Sequence, residues 1–171
     1  DGDPSPRGSG SYSSLDMVRI LKQFGAEVDS RVIQGKSGTG RFHFTGATAF
    51  LLASQTSDLP LMKLLLELGA DPTIPNNVGS SPLLAAAGVG ALGDGDESAG
   101  TEREAIAAVE FLLELGADVD CVDQNGETAM HGAAYQSLPG LVQVLQKHGA
   151  NVEVWNRKNR AGWTPRLIAL G

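Results

Sequence analysis

Several places in the chain hold side chains of types that could do chemistry. Gly35-Lys36-Ser37 has the tail of a phosphate-binding loop, where backbone N–H groups and a lysine cradle phosphate. That loop also needs a Gly at its head and a helix directly after its Ser, so that N–H groups and a dipole meet the anion. Ser30 stands at the first position and Gly38-Thr39-Gly40 at the second, so nucleotide binding fails on both flanks. Asp94-Gly95-Asp96-Glu97-Ser98 opens like a calcium loop, yet Ala99 and Ala105 occupy the positions that require Gly and Glu. An acidic surface loop leading into a helix is the better account, since Glu102 and Glu104 complement a helix N-terminus. His43 and His148 lack partners at metal-ligand spacing, and His148, near a helix C-terminus, is well placed as a cation. Cys121 is the single cysteine, which excludes an internal disulfide, and no Ser-His-Asp or Cys-His constellation accompanies it. The sequence therefore leads us to expect no catalytic residue, no metal and no cofactor.

Bulk composition narrows the class further. A net charge of −7 disfavours nucleic acid and anionic membrane as partners. No apolar run approaches the ~20 residues that cross a bilayer. Hydrophobic residues make up 42% of the 171, with aromatics at 5% and 22 Gly, which suits a Leu, Ala and Val core between short helices.

The elements that carry these residues are clearest between positions 126 and 152. Gly126-Glu127-Thr128-Ala129-Met130-His131-Gly132-Ala133-Ala134 is rich in small residues, and Leu138, Leu141, Val142, Val144 and Leu145 then give one apolar helical face. Ser137 before Pro139 predicts a helix start, and Gly149 a left-handed stop. The unit recurs. Gly-Ala pairs at Gly25, Gly69, Gly116 and Gly149 lie 44, 47 and 33 residues apart. Thr48, Ser81, Thr128 and Thr164, each opening a short helix, lie 33, 47 and 36 apart. A base period of about 33 with additions in some copies marks a repeat array.

Gly126-Glu127-Thr128-Ala129-Met130-His131 resembles the Gly-x-Thr-Pro-Leu-His signature of the ankyrin repeat family, with Ala129 in place of Pro. Ser81-Pro82-Leu83 and Gly162-Trp163-Thr164-Pro165 supply the missing letters, while Leu64-Leu65-Leu66-Glu67-Leu68-Gly69-Ala70-Asp71 and Leu112-Leu113-Glu114-Leu115-Gly116-Ala117-Asp118-Val119 look like ends of the family's second helix. The resemblance, to a bacterial-type member with two loop insertions, covers roughly residues 15–170. It implies an all-α solenoid of helix-turn-helix units, in which Thr128 and His131 brace neighbouring turns and Cys121 is small and mostly buried. It also implies a non-enzymatic protein-protein interaction module with a concave face made by turns and first helices. That face would carry Gln124, Asn125, Tyr135, Gln136, Trp155, Arg157, Lys158 and Arg160, together with Ile74, Asn76, Asn77, Val122 and Asn156. Trp, Tyr and Arg are the types that dominate interface energetics; capping of the open core by Trp155 and Trp163 is the competing account.

In order, the chain divides into a polar Gly/Ser/Pro tail (1–14), a half repeat (15–29) and an insertion (30–44) with a small hairpin around Arg41-Phe42-His43-Phe44. Repeats follow at 45–77, at 78–124 with a second insertion at 89–101, and at 125–160, before a half repeat at 161–171. The first insertion is basic (Arg31, Lys36, Arg41) and the second acidic. The incomplete ends predict head-to-tail self-association into a ring or filament, through Leu15, Val18 and Leu21 at one end and Trp163, Leu167, Ile168 and Leu170 at the other. Recognition of a foreign protein, or regulation of a larger enzyme, are the alternatives. The start at Asp1 without Met fits a processed product, extracellular or periplasmic, as well as a piece cut from a longer chain.

Overall fold

The computed structural model describes residues 12–34, 42–91 and 100–171, and within them the chain is helical, without strands. The helices are α1 (Ser14–Gln23), α2 (Ala49–Gln55), α3 (Leu59–Glu67), α4 (Pro82–Ala86), α5 (Glu102–Glu114), α6 (Ala129–Tyr135), α7 (Pro139–Lys147), α8 (Val152–Trp155) and α9 (Pro165–Leu170). They stack in two layers. Short first helices α2, α4, α6 and α9 pack in succession, and longer second helices α3, α5 and α7 back them. A turn projects between each second helix and the next first helix.

Local chemistry starts and stops these helices where the repeat register demands. The Thr48, Ser81 and Thr164 hydroxyls accept the N–H of Leu51, Leu84 and Leu167, closing the first turns of α2, α4 and α9. Pro82, Pro139 and Pro165 occupy first turns, where a missing N–H costs nothing. Gly69, Gly116 and Gly149 take φ of +93°, +90° and +87°, so the expected left-handed stops are present.

The main core lies between the layers, with Phe50, Met62, Leu84, Val109, Leu112, Leu141 and Leu145 at its centre. Small residues let the first helices approach. A Cβ on Gly132 would sit 2.5 Å from the Ala87 carbonyl oxygen and 2.7 Å from Val89 N, so α6 meets the end of α4 backbone to backbone. A second, smaller cluster joins Phe42, Ala47, Leu51 and Ala85 under the turns.

Three local expectations change. Ser137 does not cap α7: it sits at φ +53° in the connecting turn, and Leu138 is the N-cap. A leucine has no side-chain acceptor, so the orphan N–H of Gly140 donates instead to Glu102 Oε1 of α5 at 2.6 Å. A helix not anticipated from the sequence, α8, spans Val152–Trp155, capped by Asn151 accepting from Glu153 N. Phe42, His43 and Phe44 are irregular rather than hairpin, the two phenyl rings meeting edge to face at 5.4 Å. Arg41 and the Gly35-Lys36-Ser37 and Asp94-Gly95-Asp96-Glu97-Ser98 motifs lie outside the described residues, as does most of the polar tail.

Candidate functional site

The turns build one edge of the molecule from a repeated piece of side-chain chemistry. Asn76, Asp123 and Asn159 each precede a helix-opening Ser or Thr by the same interval and are all buried. In each, one side-chain oxygen accepts two backbone N–H groups of its own turn: Val78 and Ser80, Asn125 and Glu127, Ala161 and Trp163. That fixes the tip. The remaining group reaches back one repeat. Asn76 Nδ2 donates to the His43 carbonyl, Asp123 Oδ2 accepts from Ser80 Oγ at 2.8 Å, and Asn159 Nδ2 donates to Glu127 Oε1 at 2.9 Å.

Backbone bonds run tip to tip in the same direction. Asn77 N donates to Thr45 O, Gln124 N to Val78 O and Arg160 N to Asn125 O. Arg31 extends the edge toward the first insertion, its guanidinium donating to the carbonyls of Gly46 and Pro75. This ladder holds the exposed side chains of Asn77, Gln124 and Arg160 in a row.

Behind the row lies a cleft of about 360 Å³, lined in part by Phe42, His43, Val89, Asn125, Tyr135 and Arg160. The insertions meet at its wall. A Cβ on Gly90 would come within 2.8 Å of Phe42 Cα, so the end of the first insertion lies directly on the start of the second. Of the residues that the sequence nominates, Asn125, Tyr135 and Arg160 converge here, while Gln124, beside Asn125 in the turn, is exposed. The Tyr135 hydroxyl is used internally, donating to Glu127 Oε1 and accepting from Asn159 Nδ2, so its ring is presented in a fixed pose. Gln136 packs over Gly88 at the end of α6. Lys158 is exposed beyond the cleft, and the Arg157 guanidinium turns to the Glu153 carbonyl. Trp155 lies elsewhere, in a recess with Met130, Val142 and Val152. Ile74 is half-buried, and Val122 and Asn156 are exposed.

His131 is fully buried and belongs to the scaffold of this edge. Its Nδ1 lies 3.2 Å from Thr128 N and 2.9 Å from Thr128 Oγ1, and its Nε2 3.3 Å from the Trp163 carbonyl oxygen. Burial pushes its basicity below the ordinary imidazole range. Burial likewise raises the Cys121 thiol, 3.4 Å from Ser81 Oγ, which suits an inert side chain. Among the described residues no group of His, Cys, Asp and Glu is arranged to hold a metal.

The ends of the stack differ from its middle. Leu21 and Phe24 are exposed at the N-terminal end, where Val18 alone of the nominated α1 residues joins the core and Leu15 is half-buried. At the other end Trp163, Leu167, Ile168 and Leu170 help line a groove of about 760 Å³. No helix among the described residues is long and apolar enough to cross a membrane.

Comparison with known proteins gives a consistent result. The family model for ankyrin repeats in three copies matches residues 99–170, and that for a single ankyrin repeat matches residues 45–77. Neurogenic locus notch homolog protein 1 of Homo sapiens is 32% identical over 164 residues, which cover 84% of this chain and 6% of the relative. The Xenopus tropicalis protein of the same name is 34% identical over 145 residues, 73% of this chain and 6% of the relative. Ankyrin repeat and SOCS box protein 16 of Mus musculus is 36% identical over 107 residues, 63% of this chain and 22% of its own length. This chain thus spans a small fraction of the relatives it matches.

Proposed function

The chain belongs to the ankyrin repeat family, and from that premise we propose where this protein-protein interaction module docks its partner: on the turn edge and the cleft behind it. Gln124, Asn125, Tyr135 and Arg160 form the centre of that face, with Gln136, Arg157 and Lys158 around it. The observation that carries the reading is the cleft itself, which gathers a rigidly held tyrosine, an arginine and the buried ends of both insertions at one place. A tyrosine ring held in one pose loses little conformational entropy on binding, and tyrosine and arginine are both enriched among the residues that anchor interfaces. No step of catalysis is assigned to the site. A photo-crosslinking residue at Gln124 should yield a partner adduct that is absent when the same probe replaces Lys147, exposed on α7 away from the cleft. Identical adducts from both positions would remove the assignment.

The two ends support a second reading, head-to-tail association of copies. Phe24 is 87% exposed and Leu170 71%, so each end offers apolar surface to the other. Sedimentation over a wide concentration range should then show mass rising with concentration, and Leu170→Glu should abolish the rise. A single monomeric species throughout would end this reading.

A further inference from the structure

We propose that the partner segment docked on this face is acidic along the turn edge and apolar beyond it, the cleft and the groove at the C-terminal end acting as one trough. The inference rests on the turn-edge reading above and names the chemistry of its partner. Ala91 and Tyr135 line both hollows, so the two adjoin and one extended segment reaches across both. Their chemistry differs. The cleft of about 360 Å³ has Asn125 and Arg160 in its lining, whereas Trp163, Leu167, Ile168 and Leu170 line the groove of about 760 Å³.

Charge selects the kind of segment. Residues 154–171 carry Arg157, Lys158, Arg160 and Arg166 and no Asp or Glu, although the chain as a whole has a net charge of −7. All four side chains are exposed. Among the described residues none of them forms an ion pair, and Arg157 Nε donates only to the Glu153 carbonyl. Arg157, Lys158 and Arg160 share one turn and repel one another, a repulsion that an anion seated among them relieves. The carboxylates in the lining of the cleft are committed to the turns. Asp123 accepts from Ser80 Oγ and from the N–H groups of Asn125 and Glu127, and Glu127 accepts from Tyr135 and Asn159.

A segment with Asp or Glu beside Leu, Ile or Phe satisfies both parts. Its carboxylates meet guanidinium groups in charge-assisted bonds, and its apolar side chains remove Trp163, Leu167 and Leu170 from water. Nucleic acid fits less well. Its phosphates would lie along apolar walls, and its charge would meet the rest of the chain, which is more acidic than the whole.

Trp163 lines the groove and Trp155 lies in a separate recess, so Trp155→Phe leaves a tryptophan that reports on the groove alone. The probe is a random peptide library displayed on phage and selected on this chain. Selected peptides should be rich in Asp and Glu next to Leu, Ile or Phe, and as synthetic peptides they should shift Trp163 emission to the blue. Arg160→Glu should weaken their binding about tenfold, and Arg103→Glu, an exposed position on α5, should leave it unchanged. Selection without an acidic bias, or binding that leaves Trp163 emission unmoved, overturns the proposal. A single-stranded oligonucleotide bound as tightly as the peptides overturns it too. So does a Trp163 shift that needs no peptide and grows with protein concentration, which gives the groove to a second copy. Where W155F does not fold, Leu170→Ser, at an exposed position, decides: selected peptides that bind L170S unchanged overturn the proposal equally. A partner adduct at Gln124 without any Trp163 response would keep the turn edge as the docking face and remove the trough.

Discussion

The turns that carry Asp123 and Asn159 solve one problem with opposite chemistry. Both side chains pin their own tip through one oxygen, and both turn the other group toward the preceding repeat. Before Asp123 the preceding turn offers the Ser80 hydroxyl, a donor, and before Asn159 it offers the Glu127 carboxylate, an acceptor. The choice of acid or amide thus follows from what the previous repeat presents. In a buried turn, a mismatch leaves an unpaired or repelling group, which costs more than a matched bond contributes. Repeat order here is written in side-chain hydrogen bonding as well as in apolar packing.

That comparison is broken most severely by Asn159→Asp, which sets two carboxylates face to face. It should cost about 2–4 kcal/mol in urea unfolding at neutral pH. The gap to the parent should narrow on acidification, because protonating one carboxyl of a facing pair removes the repulsion. Adding Glu127→Gln should recover most of the loss by restoring a donor opposite the acid. Ser80→Ala is milder, about 1–2 kcal/mol, since Asp123 Oδ2 loses its donor but stays near the surface edge. Asp123→Asn should be the smallest change, under about 1 kcal/mol, because a hydroxyl can accept from an amide as readily as donate to an acid. Equal losses for N159D and D123N would show that the partner in the preceding turn does not matter.

Much of what is decided by neighbours in sequence was legible in the sequence. The openings at Thr48, Ser81 and Thr164 are hydroxyls capping their own next turn, and the Gly stops need only a missing Cβ. Apart from the short helix α8 and the Asx turns, what escaped reading depends on distant partners. Ser137 looked like a cap, yet α7 takes its cap from Glu102, 38 residues earlier. The Asx positions at Asn76, Asp123 and Asn159 recur with the helix openings and could have been found by the same alignment of copies. Their pairing across repeats could not be assigned until the turns were seen to stack. Trp155 and Tyr135 were grouped by residue type, whereas packing sends the first to a separate recess and fixes the second beside Asn159.

Both insertions leave and rejoin the stack through residues that the stack itself holds. Val32 exchanges backbone bonds with Gly46 and Ala47, Phe42 lies on Gly90, Ala91 is buried, and Gly100 rests against Ser57. With its endpoints set in this way, a connecting segment is thermodynamically a tether of fixed span. Each doubling of such a tether changes the closure entropy by only ~0.6 kcal/mol. Val32 and Phe42 on one side, and Ala91 and Gly100 on the other, are accordingly splice points at which foreign peptide cassettes could be joined to a framework whose ends are already placed.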